Sequence, residues 1–202
     1  MRGLFLAILI IGLFPPMAHA EQLATEDVIK AETYLRNLTT AKADFIQRSS
    51  MGGVLTGKFY LSRPGKLRFE YNEVDDFIVA DGLFIYFYDS ELGEQSNAPI
   101  GQTLADFLLR DDLTLRDDMS VQEVHNSGGF TYMTIVQTAD PAAGSVELIF
   151  SNVPYRLYKW RVTDPQGEVT EIELKNLETG MKLPGSLFGY IDPKHGKGHI
   201  NE

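Results

Sequence analysis

The chain contains no cysteine, and that absence removes several kinds of chemistry at once. No disulfide can staple the fold, and no thiolate can serve as nucleophile or metal ligand. Nor can a thioether lipid be attached at the mature amino terminus, so the protein is not itself expected to be a bacterial lipoprotein. Histidine is nearly as scarce. Past the first twenty residues only His125, His195 and His199 remain, with no HExxH or other metal spacing. His195 and His199 fall in a polar tail, Lys194 to His199, that reads as a mobile end. There is no G-x-S-x-G elbow, Walker loop or dinucleotide glycine pattern. The acidic pairs Asp75-Asp76, Asp111-Asp112 and Asp117-Asp118 have the character of solvated loop charges. The expectation is a non-enzyme that uses no cofactor and no metal.

Basic charge is also short. Eighteen Lys and Arg face 28 Asp and Glu, for a formal net charge of −10. This argues against nucleic acid or an anionic membrane surface as a general partner. Long apolar runs are missing except for Leu4 to Phe14, which is well short of the ~20 residues of a spanning helix. Arg2 precedes that run, while Pro15, Pro16 and the small-x-small signal Ala18-His19-Ala20 follow it. Residues 1–20 therefore read as a signal peptide cleaved after Ala20. Residues 21–202 read as one exported domain, large enough to bury a core without disulfides.

After the cleavage signal, Thr25 is placed to cap a helix with Glu26 and Asp27 in its first turn. Val28, Ala31, Leu35 and Leu38 supply an apolar stripe to about Thr40. From Ala43 the period changes to two. Leu55, Phe59 and Leu61 alternate with Lys58, Tyr60 and Ser62, and Leu67, Phe69 and Tyr71 with Lys66, Arg68 and Glu70. Asp81-Gly82 marks a hairpin between Phe77 to Ala80 and Leu83 to Tyr88. Further strands are expected near 119–125, 130–137, 145–151, 155–163 and 168–175, antiparallel throughout. Thr103 is placed to cap a short helix presenting Leu104, Phe107 and Leu108, too short to stand alone and so resting on the sheet.

Large apolar side chains exceed what so few helices can cover. Leu83 to Tyr88 is apolar on both faces, alternation groups Tyr158, Trp160 and Val162, and Ile172 and Leu174 add another row. A packed core and a ligand cavity look alike at this level. Arg63 helps to separate them, since it continues the parity of Leu55, Phe59 and Leu61 immediately before Pro64 ends the ladder. Its guanidinium either reaches water or bonds to backbone carbonyls of a covering helix.

The run Gly57 to Tyr71, with Arg63-Pro64-Gly65 at its centre, resembles the signature of the periplasmic outer-membrane lipoprotein carriers, the LolA-type proteins. Ala43 to Gln47, Ile78 to Gly82, Ile85-Tyr86 and Tyr88-Asp89 resemble that family's neighbouring strands. An acidic stretch from Asp89 carries one extra glycine relative to the pattern, and the closing motif from Phe188 to Gly196 carries an insertion.

The resemblance implies a mainly β, single-domain, incomplete antiparallel barrel of ten or eleven strands under a lid of short helices. It implies an acyl-chain cavity walled by Phe45, Leu55, Phe59, Leu61, Phe69 and Tyr71. Ile85, Phe87, Leu148, Phe150, Trp160, Ile172 and Leu174 would complete it. Arg63 becomes a latch to the lid, Leu104, Phe107 and Leu108 its underside, Val28 and Leu35 a second cover, and Leu67, in the loop after the motif, an exporter contact. The implied partners are acylated lipoproteins, an inner-membrane ATP-driven exporter, and an outer-membrane acceptor or the outer membrane itself. The protein would act as a periplasmic monomer. Two other readings remain at this stage: a lipid- or peptide-sensing regulatory module on the same half-barrel, and a lipid hydrolase built from distant acids.

Overall fold

The computed structural model describes residues 17–104, 106–111, 113–115 and 118–193, with side chains from residue 25 onward and that of Asp106 excepted. The apolar leader run and the His195/His199 tail lie outside these residues. Helix α1 spans Met17–Asn37, followed by β1 Thr40–Ser49, β2 Val54–Ser62, β3 Lys66–Tyr71, β4 Phe77–Asp81, β5 Phe84–Asp89 and β6 Glu94–Pro99. A four-residue helix α2, Asp106–Leu109, precedes β7 Met119–Ser127, β8 Phe130–Gln137, β9 Ser145–Asn152, β10 Tyr155–Thr163 and β11 Val169–Thr179. Helix α1 starts well before Thr25, which is an interior residue and not the cap. No breaker follows Pro16, so the helix runs through the expected cleavage point at Ala20.

The strands form one antiparallel sheet in the order β6-β5-β4-β3-β2-β1-β11-β10-β9-β8-β7. Strands β6 and β7 are its two free edges, so the curled sheet is an incomplete barrel. The same two strands are consecutive in sequence. The connection between them, residues 100–118, passes from one edge of the opening to the other and carries α2. Topology alone therefore puts the short helix over the mouth.

The concave face holds the core. Phe45, Phe59, Leu61, Leu148 and Phe150 are buried there, and Ala31 and Leu35 of α1 cover one end. Tyr34 of α1 meets Phe150 edge-on at 5.8 Å and Tyr155 at 5.9 Å. Bulges interrupt the strand register opposite Lys42 and Asp44, between Val121 and Glu123, and between Leu157 and Lys159, and the last of them changes the face of a residue singled out in the sequence. That bulge turns Tyr158 to the convex face, away from Trp160 and Val162. Tyr158 there donates to Glu173 Oε1 at 2.6 Å and packs on Phe130. Trp160 instead faces Ile172 of β11 in register.

The two-sided apolar segment in β5 has a structural cause. Ile85 and Phe87 turn inward, while Tyr86 and Tyr88 lie on the convex face beneath the carboxy-terminal segment. Tyr190 stacks on Tyr86 at 4.5 Å, Phe77 stacks on Tyr88 at 5.1 Å, and Phe188, in the turn Gly185–Phe188, is buried. Val79 is fully buried on that face too, because the turn packs on β3 and β4.

A charge ladder crosses the convex face of β9, β10, β11 and β1. Arg161 donates to Glu171 at 2.8 Å and Glu147 at 2.6 Å, Arg48 to Glu173 at 3.1 Å, and Lys175 pairs with Glu173. Burial pushes the Glu173 carboxyl up, but Lys175, Tyr158 and Arg48 outweigh it and hold the group down at about 2. Its folded value lies below the ordinary 4.5, so the contribution to stability is complete above that pH and lost as the pH falls towards 2. Glu173→Gln should flatten the acid limb of the stability profile in that window and leave its alkaline side unchanged, as read by urea unfolding across pH. An unaltered acid limb would remove Glu173 from the account.

Candidate functional site

A cavity of about 330 Å³ lies between the concave face and the β6–β7 connection. Its walls are Leu67, Phe69 and Tyr71 of β3, Ile78 of β4, Ile85 and Phe87 of β5, Trp160 and Val162 of β10, Thr170 and Ile172 of β11, and Gln47 of β1. Thr103, Leu104, Phe107 and Leu108 form its roof, where Phe107 meets Trp160 at 6.0 Å. No charged side chain lines it among the described residues. The volume is at the low end for a small-molecule site (roughly 300–1,000 Å³). Several long apolar chains enter only if the roof moves.

Of the other residues singled out in the sequence, Phe45, Phe59, Leu61 and Leu174 are buried in the sheet's inner layer. Phe45 packs on Phe69 at 5.1 Å and on Tyr71 at 5.3 Å. Leu148 and Phe150 belong to the core near α1, as do buried Leu35 and half-buried Val28. Leu55 lines a second hollow of about 450 Å³ bordered by Asp76, Asp89 and Glu94. Leu67 lies in β3 rather than a loop, is 2% exposed, and faces the cavity. An external partner reaches it only with the roof displaced.

Arg63 ties the roof to the barrel. Arg63 Nε donates to Arg110 O at 3.2 Å, and Nη2 to Arg110 O at 2.7 Å and Asp111 O at 3.1 Å. Its Nη1 donates to Leu35 O in the last turn of α1. The adjacent Gly65 N–H donates to Leu109 O at 2.7 Å. Arg110 and Asp111 follow the end of α2, and Leu35 O also accepts from Leu38 N at 3.2 Å; a planar guanidinium can serve several such carbonyls at once. Burial lowers the Arg63 pKa while Asp111 opposes the shift. The group stays charged regardless, because arginine does not deprotonate in proteins.

Glu32 supplies a second tie that the sequence reading missed. It is 2% exposed on α1, accepts from Leu115 N at 2.9 Å, and pairs with Arg36 at 3.3 Å. The signal was available, since Glu32 follows Val28 by four residues and so interrupts the apolar stripe. The roof is also longer than Leu104, Phe107 and Leu108, because Leu109, Leu113 and Leu115 are buried with it. Thr103 lies outside α2 and caps nothing. Glu32→Ala should release the 113–115 segment and raise hydrogen exchange at the Leu115 amide. The stability loss should be about 1–3 kcal/mol, the cost of leaving a buried N–H unpaired. Unchanged exchange at Leu115 would mean that this tie is not formed in solution.

Among the described residues no group of three His, Asp or Glu side chains is arranged to hold a metal.

The chain is similar to several known proteins. The family described as outer membrane lipoprotein carrier protein LolA matches residues 36–190. A protein named outer-membrane lipoprotein carrier protein from Methylococcus capsulatus is 27% identical over 187 residues, covering 86% of this chain and 88% of that one. One of the same name from Dechloromonas aromatica is 28% identical over 192 residues, covering 90% and 89%. Among solved structures, a LolA superfamily protein from Nitrosomonas europaea superposes with a TM-score of 0.48 at 10% identity, over 82% of this chain and 97% of that one.

Proposed function

The chain belongs to the outer membrane lipoprotein carrier family, and on that premise we propose that it binds the acyl chains of lipoproteins in the periplasm and carries them to the outer membrane. The observation that bears this reading is the Arg63 tie: a charged latch holding a roof shut over an uncharged, apolar cavity. Acyl chains of ~16 carbons gain ~0.8 kcal/mol per methylene on leaving water, or tens of kcal/mol for two or three chains. A rigid, ready-made pocket would not release them. A cavity that closes on itself when empty solves this, because loading must break the Arg63 bonds and separate Phe107 from Trp160. Roof opening offsets part of the binding energy, and closure favours release.

Loading is driven by an inner-membrane ATP-dependent exporter, for which Leu67 is the apolar contact once the roof lifts. An outer-membrane acceptor, or the outer membrane itself, receives the cargo. The carrier works as a monomer without a cofactor or catalytic residue. The test is to purify the mature protein from its own periplasm, identify what co-purifies by mass spectrometry, and incubate the complex with outer membranes. Stoichiometric triacylated lipoprotein that passes to the membrane is the expected result. An empty or peptide-bound protein that transfers nothing would replace this reading with that of a sensor module.

A further inference from the structure

The cavity wall is apolar except for Gln47, Tyr71, Thr103 and Thr170. Tyr71 donates its hydroxyl proton to Gln47 Oε1 at 3.0 Å, which fixes the amide and leaves its N–H donors without a partner among the described residues. Burial raises the Tyr71 pKa to about 12, assisted by Asp76, so this hydroxyl keeps its proton across the physiological range. The Thr103 hydroxyl is buried and has no hydrogen-bond partner among the described residues. Native interiors rarely leave such a group unsatisfied unless something else completes it.

Position gives the Gln47–Tyr71 pair a meaning, while Thr103 borders the apolar cavity alone. Gln47, Tyr71, Ile78 and Phe87 border both the apolar cavity and the second hollow, so the Gln47–Tyr71 pair stands where the two meet. The second hollow is lined by Asp76, Asp89 and Glu94 and, among the described residues, by no basic side chain. A ligand with its chains in the apolar side therefore brings the atoms just beyond the chains to an amide and a hydroxyl. It meets no cation on either side.

We propose that Gln47, held by Tyr71, and Thr103 form a donor site for the uncharged carbonyls of acyl esters and amides, so that the cavity takes neutral acylated headgroups and rejects free fatty acids. Ester and amide carbonyls accept hydrogen bonds and bring no charge into the apolar wall. A fatty-acid carboxylate needs a cation to offset its desolvation, finds none, and faces three like charges next door. This inference rests on the carrier reading and adds to it which part of the cargo is recognised beyond chain length.

The experiment uses displacement of a naphthylamine dye from the mature protein by methyl laurate, laurate and dodecane at pH 8, with a triacylated lipopeptide as reference. In the wild type, methyl laurate should displace the dye at a concentration about tenfold below laurate, one uncompensated charge being at least that costly. Gln47→Leu should lower the ratio of ester to alkane affinity by up to about tenfold, the worth of one hydrogen bond. Thr103→Val and Tyr71→Phe should lower it less. Dodecane affinity reports in each variant that the cavity is intact, and the Thr103 and Tyr71 variants read the same ratio if the Gln47 variant does not fold. Laurate binding as well as its methyl ester, or an ester-to-alkane ratio untouched in the folded variants, overturns the donor site. If the lipopeptide itself fails to displace the dye from the wild type, the carrier reading falls and this inference with it.

Discussion

Arg63→Leu is expected to loosen the roof without unfolding the barrel. The substitution removes every charge-assisted bond from the guanidinium to Leu35 O, Arg110 O and Asp111 O. At ~1.5–3 kcal/mol for a hydrogen bond to a charged group, and with some bonds sharing an acceptor, closure should lose about 2–4 kcal/mol. Hydrogen exchange at residues 107–111 should rise by roughly 30-fold or more, while exchange in β1 and β11 stays near the wild-type level. Binding equilibria should move in the same sense. The empty closed state is destabilised and the loaded state is not, so the variant should retain acyl cargo that the wild type passes on. Arg63→Lys should restore little, because an ammonium cannot reproduce the planar fork. A leucine variant with wild-type exchange at 107–111 and wild-type release would show that Arg63 does not latch the roof.

Gly57→Ala should be the most damaging single methyl group in the sheet. A Cβ at Gly57 would lie 1.9 Å from Glu70 O and 2.6 Å from Phe45 Cε1. Neither neighbour can yield cheaply. Glu70 O belongs to the backbone of β3, and Phe45 is wedged against Phe69 and Tyr71. Overpacking of this kind costs about 1–3 kcal/mol and occasionally more, and two immovable neighbours place Gly57 at the upper end. At ~2–4 °C per kcal/mol for a chain of this size, the melting temperature should fall by about 10 °C. Gly185→Ala is the matching control, since nothing lies within 4 Å of its Cβ. Equal melting temperatures for the two variants would contradict the packing described for β1, β2 and β3.

The sheet was legible wherever one face is wet and the other dry. Leu67, Phe69 and Tyr71 share a face because Lys66, Arg68 and Glu70 alternate with them, and the Asp81-Gly82 turn is visible because Asp81 accepts from Leu83 N and Phe84 N. Legibility ended where a local rule was overridden. The bulge at Leu157/Lys159 shifts Tyr158 to the opposite face, and no residue type announces it. Strand β6, Glu94–Pro99, is a polar edge that buries only part of Ala98, so it carries no alternation to read. Two-sided β5 is uninterpretable until Tyr190 and Phe188, a hundred residues away, are seen to cover its outer side. The site divides in the same way. Arg63 stands out as a charge on an inward parity and Glu32 as an acid within the apolar stripe of α1, whereas nothing local singles out Gln47, because its meaning comes from the roof and the far wall.

Trp160 is the only tryptophan in the chain and lies on the cavity wall beneath Phe107, so it can report directly on what fills the cavity. The decisive measurement is the quenching of its emission by a triacylated lipopeptide carrying bromine on its acyl chains, compared with the unbrominated lipopeptide at equal occupancy. If acyl chains lodge between the sheet and the roof, the brominated cargo quenches Trp160 saturably and the plain cargo does not. Bound brominated cargo that leaves Trp160 emission equal to that with plain cargo would place the chains elsewhere and contradict the account.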